Sequence, residues 1–377
     1  MEQFPKSIIV CGLDDYNQLG ETPNYSDGDC HSTIYPFKKS TIDPSLLLSF
    51  SIHCEKSVLV TKNGSLLGAG DNMSCMISST LPEDEIYQFT EFTINDHDGQ
   101  TLKPISAFCF NYATLYMFAK SDKNILVMCN RHINKGTPVF LDTGDVNPIA
   151  LFGGSVFPAA ITDKGEVIFI NCFPITSHLT DHRIDPIPLP NGEKAVQVAC
   201  SWDFVIALST KGHVFLAEIK DGSFNLDFSL VEELAEKEIV CISGSSQHFL
   251  AVSKDGKAYA YGSNNSGQLG LGEETEEVSS FTKIQSLENY EIRAAYAGNS
   301  HSLFETINGK VLSCGNNVCD QLFLDSKPGR KVYLPEETVI SEGATFCIAG
   351  INVSAAFIGG QPPPNIPNRR VKESQLK

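Results

Sequence analysis

The feature that most constrains the fold is a short apolar strand that ends in glycine and recurs along the chain. Four copies are visible, and an Asp or Asn follows each glycine by two residues: Asp14, Asn72, Asn264 and Asn317. The copies occupy residues 8–12, 66–70, 258–262 and 311–315. A unit that returns at intervals of a few tens of residues is typical of repeat architectures, so it constrains the whole chain rather than one segment.

Hairpin turns separate these strands from apolar strands that precede them. The turn dipeptides are Asn63-Gly64, Lys164-Gly165, Lys211-Gly212, Asp255-Gly256 and Asn308-Gly309. Their glycines are spaced by 47 residues (165 to 212), 44 (212 to 256) and 53 (256 to 309), and the 101 residues from 64 to 165 leave room for one more turn near residues 122–124. Each turn joins two antiparallel strands, so the sequence predicts six hairpins of one kind.

The two ends of the chain complete a seventh unit. The strand at residues 8–12 lacks a partner before it, and the apolar stretch at residues 344–358 lacks one after it. Pairing the two leaves no open sheet edge. We therefore predict an all-β fold, a seven-bladed β-propeller of four-stranded blades over residues 1–360. An open solenoid is the alternative, but it would need capping ends.

Residues 262–272 read Gly-Ser-Asn-Asn-Ser-Gly-Gln-Leu-Gly-Leu-Gly. This segment resembles the signature of the regulator of chromosome condensation repeat family, which implies a seven-bladed propeller. Degenerate copies lie at residues 12–20 and 315–322. We expect the signature residues to be structural, with the glycines supplying unusual backbone angles and Gln268 satisfying backbone groups. They are Gly12, Gln18, Leu19, Gly20, Gly70, Gly262, Gly267, Gln268, Leu269, Gly270, Gly315, Gln321 and Leu322.

The resemblance implies one of two functions. Members of the family either exchange guanine nucleotide on a small Ran-like GTPase or act as protein-binding scaffolds. The exchange factors use an Asp and a His at the start of inner strands, and Asp203 and His248 match those places, while His301 repeats the position of His248. A recurring histidine is typical of a structural hydrogen bond. We predict a protein-binding scaffold, with a guanine-nucleotide exchange factor as the alternative.

Other chemistries find no support in the sequence. The remaining histidines lack metal-ligand spacing, and no phosphate loop, dinucleotide fingerprint or Gly-x-Ser-x-Gly elbow is present. We therefore predict no enzyme active site, no metal and no cofactor. Trp202 is the only tryptophan, which excludes the tryptophan-based light sensors that share this fold.

Charge indicates the kind of partner. Acidic residues outnumber basic ones by 45 to 28, for a net charge of −17. Phosphate backbones are bound by Lys and Arg, so this imbalance argues against nucleic acid and favours a basic patch on a protein, such as a small GTPase.

The twelve cysteines, many of them in apolar runs, are typical of buried free thiols in a reducing compartment. No run approaches the roughly 20 apolar residues of a membrane span. We expect a soluble monomer in the cytoplasm, the nucleus or both. Two polar segments depart from the repeat: residues 82–103, predicted to be a long polar insertion in the second unit, and residues 361–377, predicted to be a disordered, Pro-rich basic tail.

Overall fold

The computed structural model is almost entirely β-structure. It describes residues 7–12, 35–36, 46–52, 56–72, 85–95, 99–110, 114–120, 124–130, 139–142, 145–153, 158–169, 186–220, 226–325, 330–365 and 368–377. The 3-10 helices in these ranges include Pro190–Gly192, Glu232–Leu234, Gln285–Leu287 and Glu373–Gln375.

The strands follow one another with short connections. Those of the first half are β1 (Ser7–Gly12), β2 (Tyr35–Pro36), β3 (Leu47–Ile52), β4 (Lys56–Thr61), β5 (Leu66–Asp71), β6 (Glu85–Phe92), β7 (Pro104–Phe110), β8 (Thr114–Lys120), β9 (Asn124–Asn130), β10 (Val139–Asp142), β11 (Pro148–Gly153), β12 (Pro158–Thr162) and β13 (Val167–Phe169). Those of the second half are β14 (Ala195–Cys200), β15 (Phe204–Ser209), β16 (Val214–Glu218), β17 (Ser229–Leu230), β18 (Ile239–Ser245), β19 (His248–Ser253), β20 (Ala258–Ser263), β21 (Glu277–Lys283), β22 (Ile292–Ala297), β23 (His301–Thr306), β24 (Val311–Asn316), β25 (Lys331–Glu337), β26 (Ala344–Ala349) and β27 (Val353–Ile358).

These strands form antiparallel sheets in chain order. Sheets 1 to 6 are β3–β6, β7–β10, β11–β13, β14–β17, β18–β21 and β22–β25, and the closing sheet has the order β2-β1-β27-β26. The first strand of each sheet contacts the first strand of the next, from β3 through β7, β11, β14, β18 and β22 to β26, and β27 contacts β3. The sheets therefore surround a central channel lined by their first strands, which is the architecture of a β-propeller.

The closing sheet joins the two ends of the chain as predicted. β1 pairs with β27 over six residues, from Ser7 opposite Ile358 to Gly12 opposite Val353. Every strand edge in the middle of this sheet is thereby paired, so the ring is closed by hydrogen bonds rather than by side-chain contact alone.

The predicted all-β propeller is confirmed, but its count of seven four-stranded blades is not. Six sheets of the described residues have the four strands of a propeller blade, whereas sheet 3 has three. After β13, residues 170–185 lie outside the described residues, and Val167 forms an isolated bridge with Ile187.

The core lies between neighbouring sheets rather than at the channel. Strands β14 and β15 are buried at almost every position, because both faces of an inner strand are covered by adjacent sheets. They read as continuous apolar runs for the same reason. The outer strand β25 is largely exposed and mixes charged with apolar residues.

The two segments placed outside the repeat differ from expectation. Residues 82–103 contain β6, the outer strand of sheet 1, so much of the expected insertion belongs to a blade. The described residues of 361–377, expected to be disordered, lie against the ring, and Val371 belongs to the hydrophobic cluster between sheets 3 and 4. The polar composition of these segments did not reveal either strand β6 or the docked tail, because backbone hydrogen bonding does not require apolar side chains.

Six cysteines of the described residues have free thiols, and five of them are buried, as the apolar runs predicted. Burial raises the pKa of the Cys347 thiol to about 12, so it is protonated at neutral pH. Among the described residues no helix has the length and apolar character required to cross a membrane.

Candidate protein-binding face

One end of the ring is formed by the loops that join the first and second strands of the sheets. We define the channel face by four of these loops, at residues 201–203, 246–247, 298–300 and 350–352. Hydrogen bonds link each loop to the next: the Trp202 amide donates to Ser246 O at 2.9 Å, and the Asn299 amide donates to Gly350 O at 3.1 Å. The Ser246 hydroxyl donates to Asn299 Oδ1. The face is therefore continuous across four sheets.

Two residues of this face project into solvent. Trp202 is 52% exposed although its backbone is held by Ser246, and the adjacent Asp203 is also exposed. A half-exposed tryptophan presents a large apolar surface and an N–H donor that another molecule can contact.

A group of aromatic rings begins at Phe204, the residue that follows Asp203. The Phe204 ring lies 6.1 Å from that of Tyr261 in an edge-on arrangement, and Tyr261 stacks obliquely on Phe281 at 5.4 Å. Burial raises the pKa of the Tyr261 phenol, and the carboxylates of Glu277, Glu233 and Asp203 raise it further. Asp203 and Glu277 therefore both act electrostatically on one ring between sheets 4 and 5.

Glu277 is the last residue of an acidic loop. The segment Glu273-Glu274-Thr275-Glu276-Glu277 leads into β21, and its four carboxylates are exposed. The loop backbone is anchored by Asn264, whose side-chain amide donates to Gly272 O at 2.9 Å and to Thr275 O at 2.7 Å. This charge run was visible in the sequence, but its position beside Asp203 was not.

The two histidines expected at an exchange face are not accessible there. His248 and His301 are both completely buried. His248 Nε2 lies 3.0 Å from Ser302 Oγ, and His301 Nε2 lies 2.8 Å from Ser354 Oγ. Each histidine thus connects its own sheet to the following one, and neither ring is exposed to a partner in this structure. A role for His248 and His301 in nucleotide exchange stays a prediction.

Their chemistry follows from this burial. The Ser302 hydroxyl donates its proton to Gln268 O at 2.6 Å, so His248 Nε2 must be the donor to Ser302. Loss of hydration lowers the pKa of His248 to about 3, and that of His301 also to about 3. Both rings are neutral at physiological pH, and both form structural hydrogen bonds to the next sheet, His248 as the donor.

Asp203 does not share the repeat position of the histidines. His248 and His301 are the first residues of β19 and β23, whereas the first residue of β15 is Phe204. Asp203 precedes it in the loop, which explains why it is exposed while the histidines are buried. The corresponding first residue of β4 is Lys56, which is also completely buried and which the sequence analysis did not identify.

The glycine-terminated strand owes its glycine to this hairpin. Gly262 pairs with His248, and a Cβ at Gly262 would lie 2.2 Å from Gln247 O in the channel-face loop. No other residue fits there without moving the loop. The corresponding pairings are Gly315 with His301, Gly12 with Val353, and Gly70 with Lys56.

The signature loop satisfies its own backbone. The Leu269 amide donates to Asn264 Oδ1 at 2.8 Å, and the Ser266 amide donates to Gln268 Oε1 at 2.8 Å. In the degenerate copy the Leu322 amide donates to Asn317 Oδ1 at 3.0 Å. Gln321 Oε1 accepts from the Cys319 amide at 3.0 Å. The predicted structural role of Gln268 and Gln321 matches this geometry, whereas Gln18, Leu19 and Gly20 lie outside the described residues.

No group of three or more His, Cys, Asp or Glu side chains in the described part of the chain is arranged to hold a metal ion. The arrangement at the channel face is an exposed aromatic ring among carboxylates on rigid loops. Such a surface can bind a protein.

Comparison with known families agrees with the signature. Residues 255–304 and residues 239–268 match the regulator of chromosome condensation (RCC1) repeat. The matches fall in sheets 5 and 6, so the chain contains repeats of this family.

The curated relatives match over part of their length. The human probable E3 ubiquitin-protein ligase HERC6 is 31% identical over 168 residues, covering 42% of this chain and 16% of the relative. The bovine secretion-regulating guanine nucleotide exchange factor is 36% identical over 115 residues, covering 30% of this chain and 25% of the relative. The chain thus matches less than a third of either relative's length.

Solved structures support the fold. The crystal structure of Prp20p from Saccharomyces cerevisiae, a protein described with its binding to Gsp1p and histones, superimposes with a TM-score of 0.71. The superposition covers 99% of this chain and 94% of Prp20p at 14% identity. At this identity the likeness extends to the propeller fold alone.

Proposed function

We propose that this propeller with regulator of chromosome condensation repeats is a protein-binding regulator whose channel face receives a basic surface of another protein. The observation that carries the proposal is the half-exposed Trp202 beside Asp203, on loops that are hydrogen-bonded from sheet to sheet. Tryptophan is enriched among the residues that dominate binding energy. Rigid loops lose little conformational entropy when a partner binds.

The charge of the exposed residues indicates that the partner is basic. Asp203, next to Trp202 in the chain, is exposed, and so are Glu277 and the other carboxylates of residues 273–277. Basic side chains on a partner would accelerate encounter with this face and orient it, because complementary potentials act mainly on the association rate and on specificity.

A capture experiment tests the proposal. We expect wild-type protein, immobilised from the opposite end, to retain partners that the Trp202→Ala variant loses. Ile307→Ala is the matched control, because Ile307 is 49% exposed on a hairpin turn at the other end of the ring. A partner set that is unchanged by Trp202→Ala but lost with Ile307→Ala would place binding on the opposite face.

Guanine-nucleotide exchange is the second candidate function. It is supported by the likeness to the secretion-regulating guanine nucleotide exchange factor and by the exposure of Asp203 on the channel face. Burial of His248 and His301 counts against it. Release of fluorescent nucleotide from Ran-like and related GTPases measures the activity: acceleration by wild-type protein that Asp203→Ala abolishes would support exchange, and no acceleration would reject it.

We also propose that sheet 3 is a seventh blade and that the protein works in a reducing compartment, the cytoplasm or the nucleus. Sheet 3 occupies a full place in the ring between sheets 2 and 4, and the bridge between Val167 and Ile187 stands where a fourth strand would pair with β13. Buried free thiols such as Cys200 and Cys314 support the compartment.

A further inference from the structure

The segment after the last strand crosses the inside of the ring. Hydrogen bonds join it to the first strands of successive sheets: the Asn365 amide donates to Leu48 O in β3 at 3.0 Å, and the Asn368 amide donates to Leu151 O in β11 at 3.0 Å. The Val371 amide donates to Val196 O in β14 at 2.8 Å.

Side chains extend this contact to two more sheets. Ser106 Oγ, in β7, donates to Asn365 O at 2.9 Å, and the Arg370 guanidinium donates to Val240 O in β18 at 3.0 Å. Residues 365–371 can span at most about 25 Å. A stretch this short reaches the first strands of five consecutive sheets only if it lies in the central channel.

The channel wall offers acceptors because its strands are bulged. The pairing of β3, β14 and β18 with their neighbours skips one residue each, between Leu47 and Ser49, between Ala195 and Gln197, and between Ile239 and Cys241. The skipped residues are Leu48, Val196 and Val240. A bulge leaves its extra residue out of the ladder, so that residue's carbonyl is available to another donor. All three carbonyls are occupied by the segment.

The segment is held as a peptide ligand is held. Most of its contacts use backbone groups, with Gln197 Nε2 donating to Asn368 O at 2.9 Å. Val371 is buried between sheets 3 and 4, next to Arg370 on Val240 O. A cavity lined by Ile149, Leu151 and Arg369 remains beside it. The segment therefore combines one arginine and one aliphatic anchor with main-chain recognition, as bound extended peptides do.

We propose that the channel wall is a peptide-binding site for an extended segment with an arginine followed by a branched aliphatic residue, and that Asn365 and residues 368–371 occupy it in cis. The site lies where the first strands begin, at the end of the ring opposite the channel face with Trp202. It is therefore independent of the function proposed above, and a peptide of another protein would have to displace the chain's own segment.

Binding of a synthetic peptide tests the site directly. The probe is fluorescein-labelled peptide 361–377, measured by anisotropy against the full chain and against protein ending at Gly360. We expect saturable binding to the shortened protein and at least tenfold weaker binding to the full chain, whose site is filled. A peptide with Arg370→Ala and Val371→Asp should bind at least tenfold more weakly, whereas Trp202→Ala in the shortened protein should change nothing. A cooperatively melting shortened protein that binds no peptide, or equal binding to both proteins, overturns the proposal.

Hydrogen exchange on the full chain covers the case in which the shortened protein does not fold. The amides of Asn365, Asn368 and Val371 should exchange at least tenfold more slowly than in the free peptide. Val371→Asp should remove this protection and increase tryptic cleavage after Arg370 at least tenfold, while the Phe249 amide in β19 stays protected. Rapid exchange of the three amides in the wild type, or unchanged protection in Val371→Asp, overturns the proposal.

Discussion

Gly267 illustrates how little freedom the residues of the signature loop have. Its φ is +86°, and a Cβ would lie 2.5 Å from Val332 O of the neighbouring strand β25. In the degenerate copy Asp320 and Phe323 take positive φ angles of 57° and 53° where the first copy has Gly267 and Gly270. The loop shape is thus retained even where the residue is less suited to it.

Gly267→Ala should destabilise the protein by about 2 kcal/mol or more, because the left-handed backbone costs about 1–2 kcal/mol and the collision adds to it. Gly272→Ala is the matched control: its φ is +96°, but a Cβ there meets no atom within 4 Å. It should cost only the backbone term, about 1 kcal/mol. Chemical denaturation measures both, and equal losses would contradict the steric explanation.

The buried histidines should make stability depend on pH. Unfolded histidine takes up a proton near pH 6.5, whereas His248 and His301 resist protonation until their pKa of about 3. The unfolded chain therefore binds more protons between these values, and stability must rise with pH across that window. Between pH 7 and pH 5, each of the two histidines should therefore lower the free energy of unfolding by about 2 kcal/mol.

Denaturant midpoints measured from pH 7 to pH 5 test this titration. His248→Gln retains a donor for Ser302 but cannot titrate, so its stability should fall less steeply than that of the wild type. The stability of the double variant, His248→Gln with His301→Gln, should fall least as the pH is lowered. Parallel curves for all three proteins would show that other groups cause the acid sensitivity.

At the scale of secondary structure elements, β1 decides whether the ring closes. It lies in the middle of the closing sheet, with β27 on one side and β2 on the other, and Ile8 and Val10 are buried in the cluster shared with sheet 1. Removing β1 would expose the edge of β27. It would also uncover the apolar side chains of β27 that pack against Ile8 and Val10.

Deletion of residues 1–12 should therefore cause aggregation or loss of cooperative unfolding. Deletion of residues 1–6, which leaves β1 intact, is the control and should melt as the wild type does. Calorimetry with light scattering measures both effects. An unchanged melting transition after removal of residues 1–12 would mean that closure does not depend on this pairing.

On the scale of the whole molecule, the net charge of −17 creates a long-range field, to which exposed carboxylates such as Asp203, beside Trp202, add a local contribution. Two contributions to association can thus be separated. The overall charge attracts any basic protein, whereas Glu277 and Asp203 act at one face.

Association of the captured partner should slow as salt rises past about 0.1 M, where the Debye length is about 10 Å. Glu277→Lys should slow it further, by about tenfold at low salt. Glu342→Lys changes the net charge equally but lies in the exposed connection before β26, at the opposite end of the ring, so it should have a much smaller effect. Equal effects of the two variants, measured by stopped flow, would indicate attraction by total charge alone.

Much of the fold could be predicted from the sequence because the residues that determine its strand pairings lie close to them in the chain. Turn glycines at 165, 212, 256 and 309, and the glycine near the end of the glycine-terminated strand in four sheets, lie within a few residues of the pairings they determine. The closure of β1 on β27 followed from two unpaired half-units. The prediction of four strands in every blade is not confirmed for sheet 3, which has three strands in the described part of the chain.

The candidate site required tertiary contacts that connect distant residues. His248 meets Ser302 from 54 positions away, and His301 meets Ser354 from 53, so their burial depends on the neighbouring sheet and not on their own repeat. The exposure of Trp202 and the contacts of Asn365, Asn368 and Val371 with the first strands likewise depend on how the sheets surround the axis. Periodicity and turn chemistry determine strands and their order, since they act between near neighbours; accessibility is a property of the closed ring, since only packing removes water from a side chain.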